Sequence, residues 1–156
     1  MSKTFQALIF SMATAFSGVA TAGGTQTWGH VSDALAVGLP LVAAGKAFGT
    51  GDSEGVKELT YSLGTTLIAA QTLKSLIHER RPDGSGNDSF PSGHTLHAVT
   101  FSMIACAYFP ALAVILVPFA LLVAISRMVL GLHYPSDVLA GAALGLAIAI
   151  CSFLAF

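Results

Sequence analysis

One polar stretch runs from 81 to 94 and another from 126 to 137, in a chain that is otherwise largely apolar. Lys74 stands seven positions before Arg81, which is two turns of an α-helix, so both cations can project from one helix face. Two cations on one face attract a single anion. These residues therefore predict an anion-binding site at the end of a helix.

The last four residues of the first stretch, 91–94, have the features of a helix N-terminus. Ser92 or a neighbour can cap the helix, and Gly93 lets the backbone approach a ligand closely. The free N–H groups of a first helical turn favour a phosphate. His94 follows directly and can exchange a proton near neutral pH. We therefore expect His94 to lie beside the bound anion.

The second polar stretch adds a cation, a histidine and a carboxylate. Arg127 precedes His133, and Asp137 follows that histidine by one helical turn. At this spacing the Asp137 carboxylate can hydrogen-bond a ring nitrogen of His133, which fixes the tautomer and stabilises positive charge on the ring. The two stretches together predict cations, two histidines and a carboxylate around one anion.

The order and spacing of these residues resemble the signature of the type 2 phosphatidic acid phosphatase (PAP2) superfamily. All three parts of that signature are present and in order, between residues 74 and 137. A lone Pro-Ser-Gly-His would be weak support, whereas three spaced motifs together are strong. The parts are Lys74 with Arg81-Pro82, then Pro91-Ser92-Gly93-His94, then Ser126-Arg127 with His133 and Asp137.

The resemblance implies a role for each of these residues. His133 would attack phosphorus and form a phosphohistidine, with Asp137 supporting its ring. His94 would protonate the leaving alkoxide and then activate water. Spacing alone does not say which histidine is the nucleophile. The phosphate oxygens would be bound by Lys74, Arg81, Ser92, Gly93 and Arg127.

The same resemblance implies an integral membrane phosphatase that removes the terminal phosphate of a lipid phosphate or pyrophosphate. It also implies catalysis without a metal or another cofactor. One alternative is vanadate-dependent oxidation, as in the haloperoxidases with a similar signature, although the short chain and its composition argue against it. Another is a non-catalytic membrane protein whose cations only bind anions. Neither the particular lipid nor an oligomeric state is encoded in a local motif.

Composition predicts a membrane protein independently of any motif. Hydrophobic residues make up 54% of the chain and charged residues 10%, against about 25% charged residues in soluble domains. The mean hydropathy is +0.75. A net charge of −1 gives no reason to expect nucleic acid as a partner.

The apolar runs predict an all-α, membrane-embedded bundle of five to six helices. Residues 1–22 have the outline of a cleaved signal peptide and are just long enough to be a first membrane helix instead. Residues 23–156 then form the phosphatase domain. Further helices are expected at 33–47, 59–77, 94–109, 111–130 and 136–156, with a charged connector before the second of these.

Counting spans from a cytoplasmic N-terminus places both polar stretches on the outer face of the membrane. The connector, with Lys46 and Lys57, then falls inside, in agreement with the positive-inside bias. The predicted location is a bacterial inner membrane, crossed several times, with the active site facing the periplasm.

Charges outside the motifs receive simpler interpretations. Asp33 is expected to cap its helix rather than to contact substrate. Asp83 and Asp88 lie in a glycine-rich loop and are expected to shape turns rather than to take part in catalysis. Since ionisable groups at membrane depth are costly, Lys74, His78 and Arg127 are expected to face the interior of the bundle.

Overall fold

The computed structural model describes residues 29–30, 33–34, 38, 49, 51 and 53–156. The signal peptide or first helix predicted for 1–22 lies outside the described residues, as does most of the helix predicted for 33–47. Asp33 is itself helical. Because an N-cap residue lies just outside its helix, the predicted capping role of Asp33 is wrong.

All regular secondary structure in the described residues is helical, which confirms the predicted all-α class. The predicted total of five to six helices depends on residues that the structure does not describe. The described helices are α1 (Ser53–Ile77), α2 (Gly93–Tyr108), α3 (Ala113–Val129) and α4 (Pro135–Ala155), with a 3-10 helix at Pro110–Leu112 between α2 and α3.

Helix α1 begins six residues before the predicted start at 59, so the end of the expected charged connector is helical. Two interactions stabilise the additional N-terminal turns of α1. Glu54 lies in the first turn, where the helix dipole favours a negative charge, and it pairs with Lys57 at 2.8 Å. Glu58 is buried and accepts a hydrogen bond from the Tyr108 hydroxyl of α2. Hydropathy alone could not reveal that remote partner.

Helix α2 packs against α1, α3 and α4, and its contact with α4 is unusually close. A Cβ added at Gly141 of α4 would lie 2.5 Å from the carbonyl oxygen of Ser92, and one at Gly145 would lie 2.7 Å from that of Leu96. Real Cβ atoms do not approach so closely. The two glycines, noted in the sequence for their small-xxx-small spacing, are therefore what allows α2 and α4 to touch.

The bundle carries apolar side chains outside and hydroxyl groups inside. Ile68, Leu139 and Leu154 are 69%, 70% and 84% exposed. Within the bundle, the hydroxyls of Ser62 and Ser152 lie 2.6 Å apart across α1 and α4. Exposed apolar surface and internally satisfied polar groups suit a lipid environment. In the described part, the segments Pro110–Val129 and Pro135–Ala155 are long and apolar enough to cross a membrane.

Both polar stretches lie at the same end of the bundle, as the sequence predicts. The loop after α1 reaches the loop after α3, where the Asp83 N–H donates to the Gly131 carbonyl at 3.0 Å. The Ser92 N–H, just before α2, donates to the carbonyl of Asp137 at 3.0 Å. Residues far apart in the sequence are thereby joined into one cluster.

Candidate active site

Asp137 is fully buried in the first turn of α4 and is held by two donors. Its Oδ2 atom accepts the Tyr134 N–H at 2.8 Å and the Ser89 hydroxyl at 2.5 Å. The first of these bonds satisfies an N–H at the helix start, where the helix dipole also favours a carboxylate. Its position and its negative charge are therefore built into the way α4 begins.

His133 lies beside this carboxylate without a direct hydrogen bond to it. Its Nδ1 atom is 3.6 Å from Asp137 Oδ2, so the predicted direct bond is wrong. The Ser89 hydroxyl lies between them, 3.5 Å from Nδ1, and donates to Asp137. Ser89 is buried and comes from the first polar stretch, 44 residues before His133. No local pattern identified it, because its partners lie on another part of the chain.

The His133 ring is buried and held in its neutral form. Burial, followed by the positive charges of Arg81 and Lys74, lowers the pKa of His133 from 6.5 to about 4. A neutral imidazole keeps a free lone pair on one nitrogen. Since Nδ1 faces Ser89 and Asp137, Nε2 is the nitrogen that can act as a nucleophile.

Lys74 and Arg81 meet at one acid, but not through a shared helix face. Helix α1 ends at Ile77 and Arg81 lies in the loop beyond it, so the predicted helical arrangement of this pair is wrong. Arg81 forms a bidentate ion pair with Asp88, with its Nε and Nη2 atoms 2.8 and 2.9 Å from the two carboxylate oxygens of Asp88. The Lys74 ammonium donates to the backbone carbonyl of Asp88 and lies 3.8 Å from the carboxylate. The hydrogen bond from Arg81 holds the pKa of Asp88 below its usual value. Asp88 is thus a counter-ion for both cations, which its predicted turn-shaping role did not include.

Asp83, by contrast, has the contacts expected of a turn residue. Its carboxylate accepts the N–H of Ser85 at 2.9 Å. The same contact lowers the pKa of Asp83. This acid shapes the glycine-rich loop.

Ser92 and Gly93 form the start of α2, as predicted, with one difference. Ser92 occupies the N-cap position, but its hydroxyl makes no capping bond and instead lies 3.0 Å from the Thr95 hydroxyl. A Cβ built on Gly93 would meet no atom within 4 Å. The first turn of α2 therefore borders open space at Gly93, where an anion can approach the backbone.

Arg127 and His94 converge on a third acid, Asp33. Arg127, near the end of α3, is buried, and its Nη1 atom lies 3.2 Å from Asp33 Oδ1. His94 Nε2 lies 2.9 Å from the same oxygen. The expectation that Arg127 faces the interior is confirmed, whereas the same expectation for His78 is wrong, because His78 is exposed in the loop after α1. Asp33 is an unexpected member of the cluster, because it stands 94 positions from Arg127.

The cluster is suited to binding a tetrahedral anion such as phosphate, beside a histidine whose ring nitrogen can accept a phosphoryl group. Cations from the ends of α1 and α3 border the site. A neutral histidine faces them, and a second histidine stands at the start of α2. Such a set of groups is suited to phosphoryl transfer, where positioning and charge stabilisation dominate catalysis.

Comparison with known proteins agrees with this geometry. Residues 55–156 match the PAP2 superfamily. The chain is 33% identical over 93 residues to the lipid A 1-phosphatase of Rhizobium johnstonii, and 35% identical over 129 residues to phosphatidylglycerophosphatase B of Bacillus subtilis. These alignments cover 50% and 68% of this chain, but 38% and 60% of the relatives.

Solved structures show the same architecture. The crystal structure of a transmembrane PAP2 type phosphatidylglycerolphosphate phosphatase from Bacillus subtilis matches with a TM-score of 0.68 and 26% identity, over 97% of this chain and 86% of that one. Aquifex aeolicus LpxE matches in fold with a TM-score of 0.71 and 24% identity, over 91% of this chain and 94% of that one. On its family match and its motifs, this chain belongs to the PAP2 superfamily.

Proposed function

We propose that this chain is a phosphatase that removes the terminal phosphate of a lipid phosphate or pyrophosphate through a phosphohistidine at His133. The observation that carries the proposal is the buried, neutral His133 beside Arg81 and Lys74, at one end of a bundle with an apolar exterior. Two relatives, named lipid A 1-phosphatase and phosphatidylglycerophosphatase B, support a lipid phosphate as the substrate.

In the first step, Nε2 of His133 attacks phosphorus as the bond to the leaving oxygen breaks. Positive charge develops on the ring, and the buried Asp137 carboxylate stabilises it through the Ser89 hydroxyl. His94 donates a proton to the leaving oxygen. Burial and the charge of Arg127 lower the pKa of His94 from 6.5 to about 4, while Asp33 opposes that shift, so the donating form is the minor, protonated ring. In the second step His94 takes a proton from the water that hydrolyses the phosphohistidine.

The cations supply the charge stabilisation that this reaction needs. Lys74, Arg81 and Arg127 bind the phosphate oxygens, together with Ser92 and the N–H of Gly93. Fixed positive charges near the reacting phosphorus stabilise the transition state as a metal ion would, so the proposed reaction needs no metal or other cofactor.

The proposed setting is a bacterial inner membrane, with the active site facing the periplasm. The exposed apolar surface of the bundle and the two span-length segments support a membrane location. The head group of a lipid phosphate lies at the membrane surface, at the depth where helices end. A site built from two loops at one end of the bundle is suited to such a substrate.

Phosphate release from lipid phosphates tests the proposal. The purified full chain in detergent would be assayed against phosphatidic acid, phosphatidylglycerol phosphate, undecaprenyl pyrophosphate and lipid A phosphates. We expect release from at least one of them, and a loss of about 10³-fold or more in His133→Asn. The matched control is His78→Asn, at an exposed loop position with a φ of 49°, which Asn tolerates. No release from any substrate, or full activity in His133→Asn, would contradict the proposal.

A further inference from the structure

One acid in the cluster has no part in the reaction steps described above. The Asp33 Oδ1 atom lies 2.9 Å from His94 Nε2 and 3.2 Å from Arg127 Nη1. Its side chain is 59% exposed. Its partner Arg127 is only 7% exposed, so a role of Asp33 toward Arg127 competes with a role toward His94, and an experiment must separate the two.

We infer that Asp33 is a positioning residue for His94, accepting the Nε2 hydrogen so that the ring faces the leaving group with its other nitrogen. This inference rests on the proposed function, in which His94 is the acid and base. A histidine that exchanges protons at one nitrogen is commonly oriented by an acceptor at the other. Asp137 has the equivalent place in the other half of the site, through Ser89.

The proton transfers then balance over both steps. As the P–O bond breaks, its electron pair goes to the leaving oxygen, which takes the proton from Nδ1 of the His94 imidazolium. The ring becomes neutral and keeps its Nε2 hydrogen on Asp33. When water attacks the phosphorus of the phosphohistidine, the P–N bond breaks and its electron pair returns to Nε2 of His133. Nδ1 of His94 takes a proton from that water, and the His94 imidazolium forms again. Asp33 exchanges no proton and serves only to hold the ring.

The contact with Arg127 suggests a competing role, in which Asp33 only holds a phosphate-binding cation. The two roles differ in their dependence on the leaving group. Arg127 would bind the phosphate whatever group leaves, so losing its position would slow all substrates alike. Proton donation by His94 matters for an alkoxide, which leaves poorly without a proton, and much less for a nitrophenolate, which leaves readily.

The experiment compares Asp33→Asn with wild type on two phosphate esters, dioctanoyl phosphatidic acid and p-nitrophenyl phosphate. The quantity measured is kcat/KM, which reports steps up to the first phosphoryl transfer and excludes phosphohistidine hydrolysis. We expect kcat/KM to fall about 10- to 100-fold for the lipid phosphate and less than about 3-fold for the aryl phosphate. Asp33→Glu should recover part of the loss. Glu54→Gln, at the far end of α1, removes an exposed carboxylate as the matched control and should match wild type.

Each other outcome contradicts the inference. Equal losses on both esters would assign Asp33 to Arg127, and no loss on either would leave it without a role. Unfolding of Asp33→Asn, seen as a large fall in Tm, would make the acid structural. If wild type cleaves neither ester nor any lipid phosphate, the proposed function itself fails. If wild type is active and Asp33→Asn slows both esters equally, only the proposed role of Asp33 is refuted.

Discussion

Replacing Gly141 with alanine should separate α2, which carries His94, from α4, which carries Asp137 in its first turn. The new Cβ would lie 2.5 Å from the Ser92 carbonyl oxygen. For the new Cβ and the Ser92 carbonyl oxygen to reach a normal van der Waals distance, α2 and α4 must move apart by about 1 Å at this point. Overpacking of this kind costs about 1–3 kcal/mol of stability. The obstacle is backbone rather than a flexible side chain, so local rotamer changes cannot relieve it.

The same movement should slow catalysis. Gly141 lies one helical turn from Asp137, and Ser92, whose carbonyl oxygen the new Cβ would contact, lies two residues before His94. The Ser92 N–H to Asp137 carbonyl bond, 3.0 Å long, spans this gap and would stretch. A misplacement of about 1 Å between catalytic groups can cost on the order of 10²-fold in rate. We therefore expect Gly141→Ala to lose about 10²-fold in kcat.

Gly64→Ala is the matched control, because a Cβ at this α1 position meets nothing within 4 Å. It should keep full activity and gain up to about 1 kcal/mol from helix propensity. Thermal unfolding in detergent and phosphate release would be measured on both variants. A Gly141→Ala protein with wild-type Tm and kcat would refute the close-approach argument. A lower Tm with unchanged kcat would refute its link to the active site.

Other predictions test the chemistry and the orientation. Because the pKa of His133 is about 4, phosphoenzyme formation from an aryl phosphate should be similar at pH 5.5 and 7.5; a fall of about 10-fold at pH 5.5 would indicate an ordinary histidine. The pKa of His133 is lower in the folded chain than the value of 6.5 in the unfolded chain. Between pH 6.5 and about 4 the unfolded chain therefore binds more protons, so His133 should lower the stability of the fold as pH falls through this range. EDTA should leave the rate unchanged and vanadate should inhibit; activity lost to EDTA and restored by magnesium or zinc would contradict the metal-free mechanism. With both native cysteines replaced, a cysteine at Ser85 should react with an impermeant thiol reagent in intact spheroplasts, while one at Ser53 should react only after lysis. The opposite labelling would invert the proposed topology.

Helix positions were predictable where a local signal ends an apolar run. Prolines at 110 and 135 set limits that the structure follows closely, whereas α1 ends at Ile77, five positions before Pro82, and His78 follows with a φ of 49°. The segment predicted at 136–156 is α4, Pro135–Ala155, and the segment predicted at 94–109 is α2, Gly93–Tyr108. The start of α1 was not predictable in this way, because Glu58 is stabilised by Tyr108, 50 positions away. A buried acid looks like a loop residue until its partner is known.

The part of the site that was predictable consists of the residues in the three sequence motifs. The structure brings both predicted histidines and all three predicted cations into one cluster. Asp137 lies beside His133 as expected, but Asp33, Asp88 and Ser89 were missed or given another role. The contacts of Asp33 and Ser89 join distant parts of the chain, whereas Asp88 contacts Arg81 only seven positions away. Ser89 reaches Asp137 across 48 positions, and Asp33 reaches Arg127 across 94. Spacing along one helix can align two side chains, but it cannot say which loop will cover them.

Asp88 and Asp137 differ in exposure, and that difference matches the roles proposed for them. Cations gathered for a phosphate repel one another while the site is empty, so each needs a counter-ion to stay in place. Asp88 is the counter-ion of Lys74 and Arg81 and is 50% exposed. Ion pairs at this exposure are worth only about 0–1 kcal/mol, so a phosphate dianion can displace them at little cost.

Asp137 cannot be displaced in the same way. It is fully buried, and its Oδ2 atom is held by the Ser89 hydroxyl and the Tyr134 N–H. Removing a buried carboxylate from its donors would cost several kcal/mol, more than an entering phosphate could offset at that position. In the proposed mechanism, Asp88 therefore keeps Lys74 and Arg81 in place until substrate binds, while Asp137 remains with His133 throughout the reaction.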